Sequence, residues 1–197
     1  MKKLYLILIF LMVFILLGSP IYASDYDQLG MAVYTDNLAN LKELLANGAD
    51  PNSKDFDGTT ILHTAAYFGN TESIELLLNY GADINAEDQE GETVLMWAAA
   101  NSAEAVKLFL EKGAEINVES NDGTTALMRA AIMGDTETIN TLIEAGADLK
   151  GKDANENTLL MQAAVNSPEA VKIFLDNGAD VNAKNDTGNT ALMNAAS

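Results

Sequence analysis

Gly81-Ala82-Asp83-Ile84-Asn85 recurs along this chain with small variations. Gly48-Ala49-Asp50-Pro51-Asn52 precedes it, and Gly113-Ala114-Glu115-Ile116-Asn117, Gly146-Ala147-Asp148 and Gly178-Ala179-Asp180-Val181-Asn182 follow. The Gly-Ala pairs lie 33, 32, 33 and 32 residues apart. A second signature keeps the same beat: Thr60-Ile61-Leu62, Thr93-Val94-Leu95, Thr125-Ala126-Leu127, Thr158-Leu159-Leu160 and Thr190-Ala191-Leu192, each followed two residues later by Ala-Ala. A fixed period near 33 is the mark of a solenoid, in which each unit buries its apolar face against its neighbours. The expected fold class is therefore an all-α repeat solenoid of stacked helix-turn-helix units with hairpin-like loops.

Composition limits the partners. The 197 residues are 48% hydrophobic, enough for a folded body. Beyond residue 23 the chain carries 9 basic against 29 acidic residues, a net charge of −20. Nucleic acid and anionic lipid are bound through Lys and Arg, so both are poor fits to this surface. Cysteine is absent, which removes disulfides, thiolate metal sites and a cysteine nucleophile.

Met1-Lys2-Lys3 and the apolar run Leu4 to Leu17, closed by Gly18-Ser19-Pro20 and Ile21-Tyr22-Ala23, follow the pattern of a secretory signal cut after Ala23. A transmembrane anchor is the competing reading. Fourteen helical residues span ~21 Å, short of the ~30 Å hydrocarbon core. The cleaved signal is preferred, with no stable membrane anchor afterwards and a periplasmic or secreted destination. Residues 24–197 are then the repeat domain.

Each unit opens with a turn such as Asp55-Phe56-Asp57-Gly58, where Asp bonds its own backbone and Gly supplies a positive φ. Glu156 replaces the Gly in the fifth unit, which predicts a distorted hairpin there. A short helix follows, Leu62 to Phe68 in the second unit. Asn70, Ser102, Asp135 and Ser167 are read as N-caps of a longer second helix, with Pro168 at N1, and Gly81 and its equivalents as left-handed C-caps. The stretch from Asp25 to Asn52 is a first unit with a worn front half, read as a cap. The third and fifth units match at 16 of 26 residues between Thr93–Val118 and Thr158–Ala183, which indicates that a pair of repeats was duplicated as a block.

Turn, short helix, longer helix and Gly-Ala-Asp-x-Asn together resemble the ankyrin repeat. The best match runs from Asp57-Gly58-Thr59-Thr60-Ile61-Leu62-His63-Thr64-Ala65-Ala66 to Gly81-Ala82-Asp83-Ile84-Asn85-Ala86. About five units and the first half of a sixth are expected. Either that half-unit serves as an improvised cap or the natural protein continues, and the longer protein is preferred. Met96, Met128, Met161 and Met193 stand where the family has His, so those interfaces should be softer.

The resemblance implies that His63, the one histidine, is structural. With His63 structural, no second His and no Cys, neither a triad nor a zinc site can be assembled from the usual residue types, so no enzyme activity, cofactor or metal is expected. Asp55-x-Asp57-Gly58 starts like a calcium loop but lacks the other ligands, and turn chemistry explains it better. Asn185-Asp186-Thr187 fits the glycosylation pattern, which carries little weight if the source is bacterial. The family's hairpin tips and the exposed face of its short helices line a concave groove. Mapped by register, that groove holds Phe56, Tyr67, Phe68, Gln89, Trp97, Asn121, Arg129, Ile132 and Met133 as partner-binding residues. Trp97 is read equally as packing between units. The implied function is non-enzymatic protein–protein interaction by a monomer, with a partner whose apolar surface has a basic rim. The alternative is the scaffold arm of a longer exported protein whose C-terminal part carries an enzymatic or toxin-like activity.

Overall fold

The computed structural model of the protein describes residues 24–196. Residues 1–23, where the export signal is expected, lie outside them. Helices come in pairs: α1 (Asp25–Tyr34) with α2 (Leu38–Ala46), α3 (Ile61–Phe68) with α4 (Thr71–Asn79), and α5 (Val94–Ala99) with α6 (Ala103–Glu111). Then come α7 (Ala126–Met133) with α8 (Thr136–Glu144), α9 (Leu159–Ala163) with α10 (Pro168–Asp176), and α11 (Ala191–Ala195). The first helices of successive pairs pack in one row and the second helices in another, while each first helix also packs on its own second helix.

Threonine starts the first helices. Thr60, Thr93, Thr125 and Thr158 sit in extended conformation, and each side chain accepts the N–H three residues on. The second unit's helix therefore begins at Ile61, one residue earlier than the sequence reading. Buried alanines, among them Ala65, Ala66, Ala98, Ala99, Ala130 and Ala131, let the rows approach closely. The second helices supply the bulk, with Ile74, Leu77, Val106, Phe109, Ile139, Leu142 and Phe174 at 2% exposure or less. Burying such a side chain contributes about 1.5–3 kcal/mol.

Each second helix ends where Gly takes positive φ. At Gly81, with φ 91°, the Gly81 N–H bonds Leu78 O at 3.0 Å and the Ala82 N–H bonds Leu77 O at 3.0 Å. That pair of bonds is a Schellman closure, which satisfies carbonyls the helix would otherwise orphan. The Gly-Ala-Asp-x-Asn motif is thus a helix stop followed by a clamp. Asn52 accepts the Asp83 N–H (2.8 Å) and donates to Gly81 O (2.9 Å). Asn85 accepts the Glu115 N–H, and Asn117 the Asp148 N–H. Lys150 breaks the series.

Two expectations fail. Ser102, Asp135 and Ser167 cap their helices, but Asn70 makes no side-chain cap bond; its amide donates to Val33 O in the preceding unit at 3.0 Å. The fifth hairpin is not distorted. Asp153 N–H to Asn157 O and Glu156 N–H to Asp153 O reproduce the Asp55–Thr59 and Gly58–Asp55 bonds of the second unit, and Lys152 bridges Thr158 as Lys54 bridges Thr60. Glu156 itself takes the left-handed conformation, φ 61°. The Asp153 carboxylate accepts the Asn155 and Asn157 N–H groups and holds the turn, so the cost falls on one residue instead of on the hairpin's shape.

Candidate functional site

The hairpins form one wall of a groove. Their tips are joined unit to unit by backbone bonds: Gln89 N–H to Asp57 O (3.0 Å), Asn121 N–H to Glu90 O (2.9 Å), Ala154 N–H to Asp122 O (2.7 Å) and Asp186 N–H to Asn155 O (3.1 Å). Within three of the fingers a carboxylate at the first position holds the turn; Asp55 accepts the N–H groups of Asp57 and Thr59, Asp88 those of Glu90 and Glu92, and Asp153 those of Asn155 and Asn157, while Ser120 and Asn185 take this place in the other two. Fingers stitched in this way form a ledge.

The first helices form the floor, and wall and floor are tied directly. Trp97 Nε1 donates to Asp88 Oδ2 at 3.2 Å, and Gln162 Nε2 to Asp153 Oδ2 at 3.2 Å, from the same helical position two units apart. In the second unit the tie involves Tyr26, whose buried hydroxyl bonds Thr64 and Asp55 and is pushed up to about 12 by its burial. His63 links two units as well. Its Nδ1 accepts the Thr60 N–H at 3.2 Å, which leaves the proton on Nε2 to donate to Glu92 O at 3.1 Å. Burial holds His63 down at about 4, so it is neutral near pH 7.

The floor is aromatic at its N-terminal end. Rings run edge to face from Tyr34 to Phe68 (5.6 Å), Phe68 to Tyr67 (5.3 Å), Tyr67 to Trp97 (6.1 Å) and Trp97 to His63 (5.5 Å). Such pairs contribute about 0.5–1.5 kcal/mol each beyond burial. Trp97 is half-buried against His63 and Tyr67 of the preceding unit, as the packing reading expects. Phe56, at the tip above, is 86% exposed. Tyr34 was missed in the sequence reading. It occupies in the first unit the position Tyr67 holds in the second, 33 residues on, so register alone could have found it.

The other mapped residues divide by what their side chains already do. Gln89 donates to Phe56 O at 2.6 Å and Asn121 to Gln89 O at 2.9 Å, so both amides brace the ledge. Arg129 pairs with Glu92, its guanidinium half-buried and its pKa lowered by that burial. Ile132 is half-buried and Met133 is 56% exposed. Ile132 lines a cleft of about 280 Å³ together with Met161, Gln162, Val165 and Asn166, where Gln162 Oε1 is buried without a hydrogen-bond partner. The mapped residues thus fall into an aromatic end and an aliphatic end, separated by the Arg129–Glu92 pair.

A model of the family of ankyrin repeats matches the chain in three copies, over residues 29–120, 101–153 and 127–197. No curated protein matches it. The family generally mediates protein–protein interaction and is typically non-enzymatic.

Proposed function

From the premise that this chain belongs to the ankyrin-repeat family, we propose that it binds a protein partner non-covalently in the groove between the hairpin ledge and the first helices, in an exported compartment. One observation carries the site: Phe56, at the tip of the second unit's hairpin, is 86% exposed, and the first helices carry a continuous row of four rings, Tyr34, Phe68, Tyr67 and Trp97. A large ring at a solvent-facing tip contributes nothing to its own core and is the kind of anchor that dominates interfaces. Tyr34, Phe68, Tyr67 and Trp97 supply a preformed aromatic floor, so little ordering is needed on binding. The surrounding charge of −20 speeds encounter with a basic-rimmed partner, and the rings set the dissociation rate. Export rests on the pattern of residues 1–23, and the intact mass of the mature protein tests it: a chain still beginning at Met1 overturns cleavage.

The groove is tested by recovering the partner through crosslinking and comparing Phe56→Ala, Tyr67→Ala and Phe68→Ala with Glu75→Ala on the outer helix α4. Losing a central anchor should cost about 2 kcal/mol or more in affinity, against about 0–1 for the charge control. A larger loss at Glu75 than at the rings overturns the groove assignment. Because Tyr67 and Phe68 are half-buried, Phe56→Ala is the variant that separates binding from folding.

A further inference from the structure

The ledge sets a spacing as well as a polarity. The residue following each tip position is acidic in three successive fingers, Asp57, Glu90 and Asp122, and neutral in the next two, Asn155 and Thr187. All three acids are exposed, and their carbonyls accept the bonds that join finger to finger, so they advance one unit at a time. Ion pairs among the described residues are Lys107–Glu137, Arg129–Glu92 and Lys152–Glu156, none of which engages these carboxylates. The fingers of Asp57 and Glu90 belong to the units whose first helices carry Tyr67, Phe68 and Trp97, while that of Asp122 belongs to the unit of Arg129 and Ile132. Two of the three acids share the aromatic end of the groove with the rings.

Successive helices pack about 8–10 Å apart. An extended chain rises ~3.1–3.3 Å per residue, so three residues advance it by ~9–10 Å, one unit of the array. The geometry points to an extended basic segment of a partner protein, with Arg or Lys at every third position, as the occupant of the aromatic end. This rests on the groove reading above. Each cation meets one carboxylate of the ledge, and its stem or guanidinium plane lies on Phe56, Tyr67 or Trp97, where a cation on a ring face adds to the charge attraction. An extended strand fits better than a helix because three of its residues advance by one unit of the array, whereas three helical residues advance only ~4.5 Å.

The test needs no natural partner. The probe is an acetylated, amidated peptide of Arg-Pro-Ser repeated three times, added to the full repeat chain and followed by the fluorescence of Trp97, the one tryptophan. Its isomer with the three Arg adjacent has the same charge and composition, and a third peptide carries Leu in place of Arg. The periodic peptide should bind about 10-fold tighter than its isomer, and its affinity should fall steeply with salt. Asp57→Asn combined with Glu90→Gln should erase that preference, while Glu72→Gln with Glu75→Gln on the outer face leaves it intact. Equal binding of the two isomers overturns the spacing, and equal binding of the Leu peptide overturns the cation. In both cases the groove reading survives if Phe56→Ala weakens whatever binds. Weakening by the outer-face pair alone overturns both readings. No binding of any peptide at about 1 mM overturns this inference and leaves the groove to the crosslinking test.

Discussion

Glu156 holds a φ of 61° in a turn where the other complete units have Gly. A side chain in that region costs about 1–2 kcal/mol, partly offset by an exposed pair with Lys152 whose contribution is a few tenths. Glu156→Gly should therefore stabilise the protein by about 0.5–1 kcal/mol, read as a higher urea midpoint at unchanged slope. His63 makes a prediction in pH. Its folded pKa, near 4, lies below the ordinary 6.5 because burial disfavours the charged ring. Between those values the unfolded chain takes up a proton that the folded chain refuses, so stability falls as pH drops through that window. By pH 4 the loss attributable to this ring approaches about 3 kcal/mol. His63→Met, the residue found at this place in the next units, should cost stability at pH 7 through the lost bonds but flatten the slope between pH 6.5 and 4.5. Parallel slopes for the two proteins would mean that His63 is protonated in the folded state.

At the scale of elements, the clamp after each second helix decides how well one pair holds the next. Asn52, Asn85 and Asn117 each accept an N–H two residues beyond the following unit's Gly, and Lys150 does not. Asn117→Ala should lower stability by about 1 kcal/mol, the usual net cost of a lost intramolecular hydrogen bond. Lys150→Asn should recover about as much by reaching the N–H of Asp180, as measured by chemical denaturation. A neutral result for Lys150→Asn would show that the last interface is too mobile to use the bond.

At the scale of the molecule, the array is tight at one end and open at the other. The first unit buries Leu29, Ala32 and Val33 at 1% or less, and Tyr26 bonds across to the second hairpin. At the far end Leu192 is 79% and Met193 54% exposed, where the equivalent Leu160 and Met161 are at 3% and 1%. Thr190 makes no side-chain cap bond, and α11 buries no residue. Because a solenoid's units are stabilised by nearest neighbours, opening should spread from this end in a chain that stops at residue 197. Hydrogen exchange should show the weakest protection in residues 190–196 and strong protection in residues 124–131. Equal protection in the two segments would mean that the last helix is held as firmly as an interior one.

The repeat, its period and the class of fold were legible in the chain because a solenoid's contacts are local: each unit meets only its neighbours, so the same demand is printed at every turn of the period. Gly81 as a helix stop, the Ala pairs and the Thr caps are local physics and could be read in sequence. The proposed groove positions, Phe56 and Met133 included, were mapped by register alone. Contacts between units are where the reading ran out. That Asn70 gives up its cap to bond Val33 O, that Trp97 ties the floor to Asp88, and that Gln89 and Asn121 brace the ledge depend on where a neighbouring unit places its carbonyls. Glu156 shows the same limit from the other side. Its residue type argues against the turn, and only the assembled fifth hairpin, with Asp153 holding both following N–H groups, decides that the backbone keeps its shape. Residue type sets what each group prefers, and the packed neighbours decide which preference is honoured.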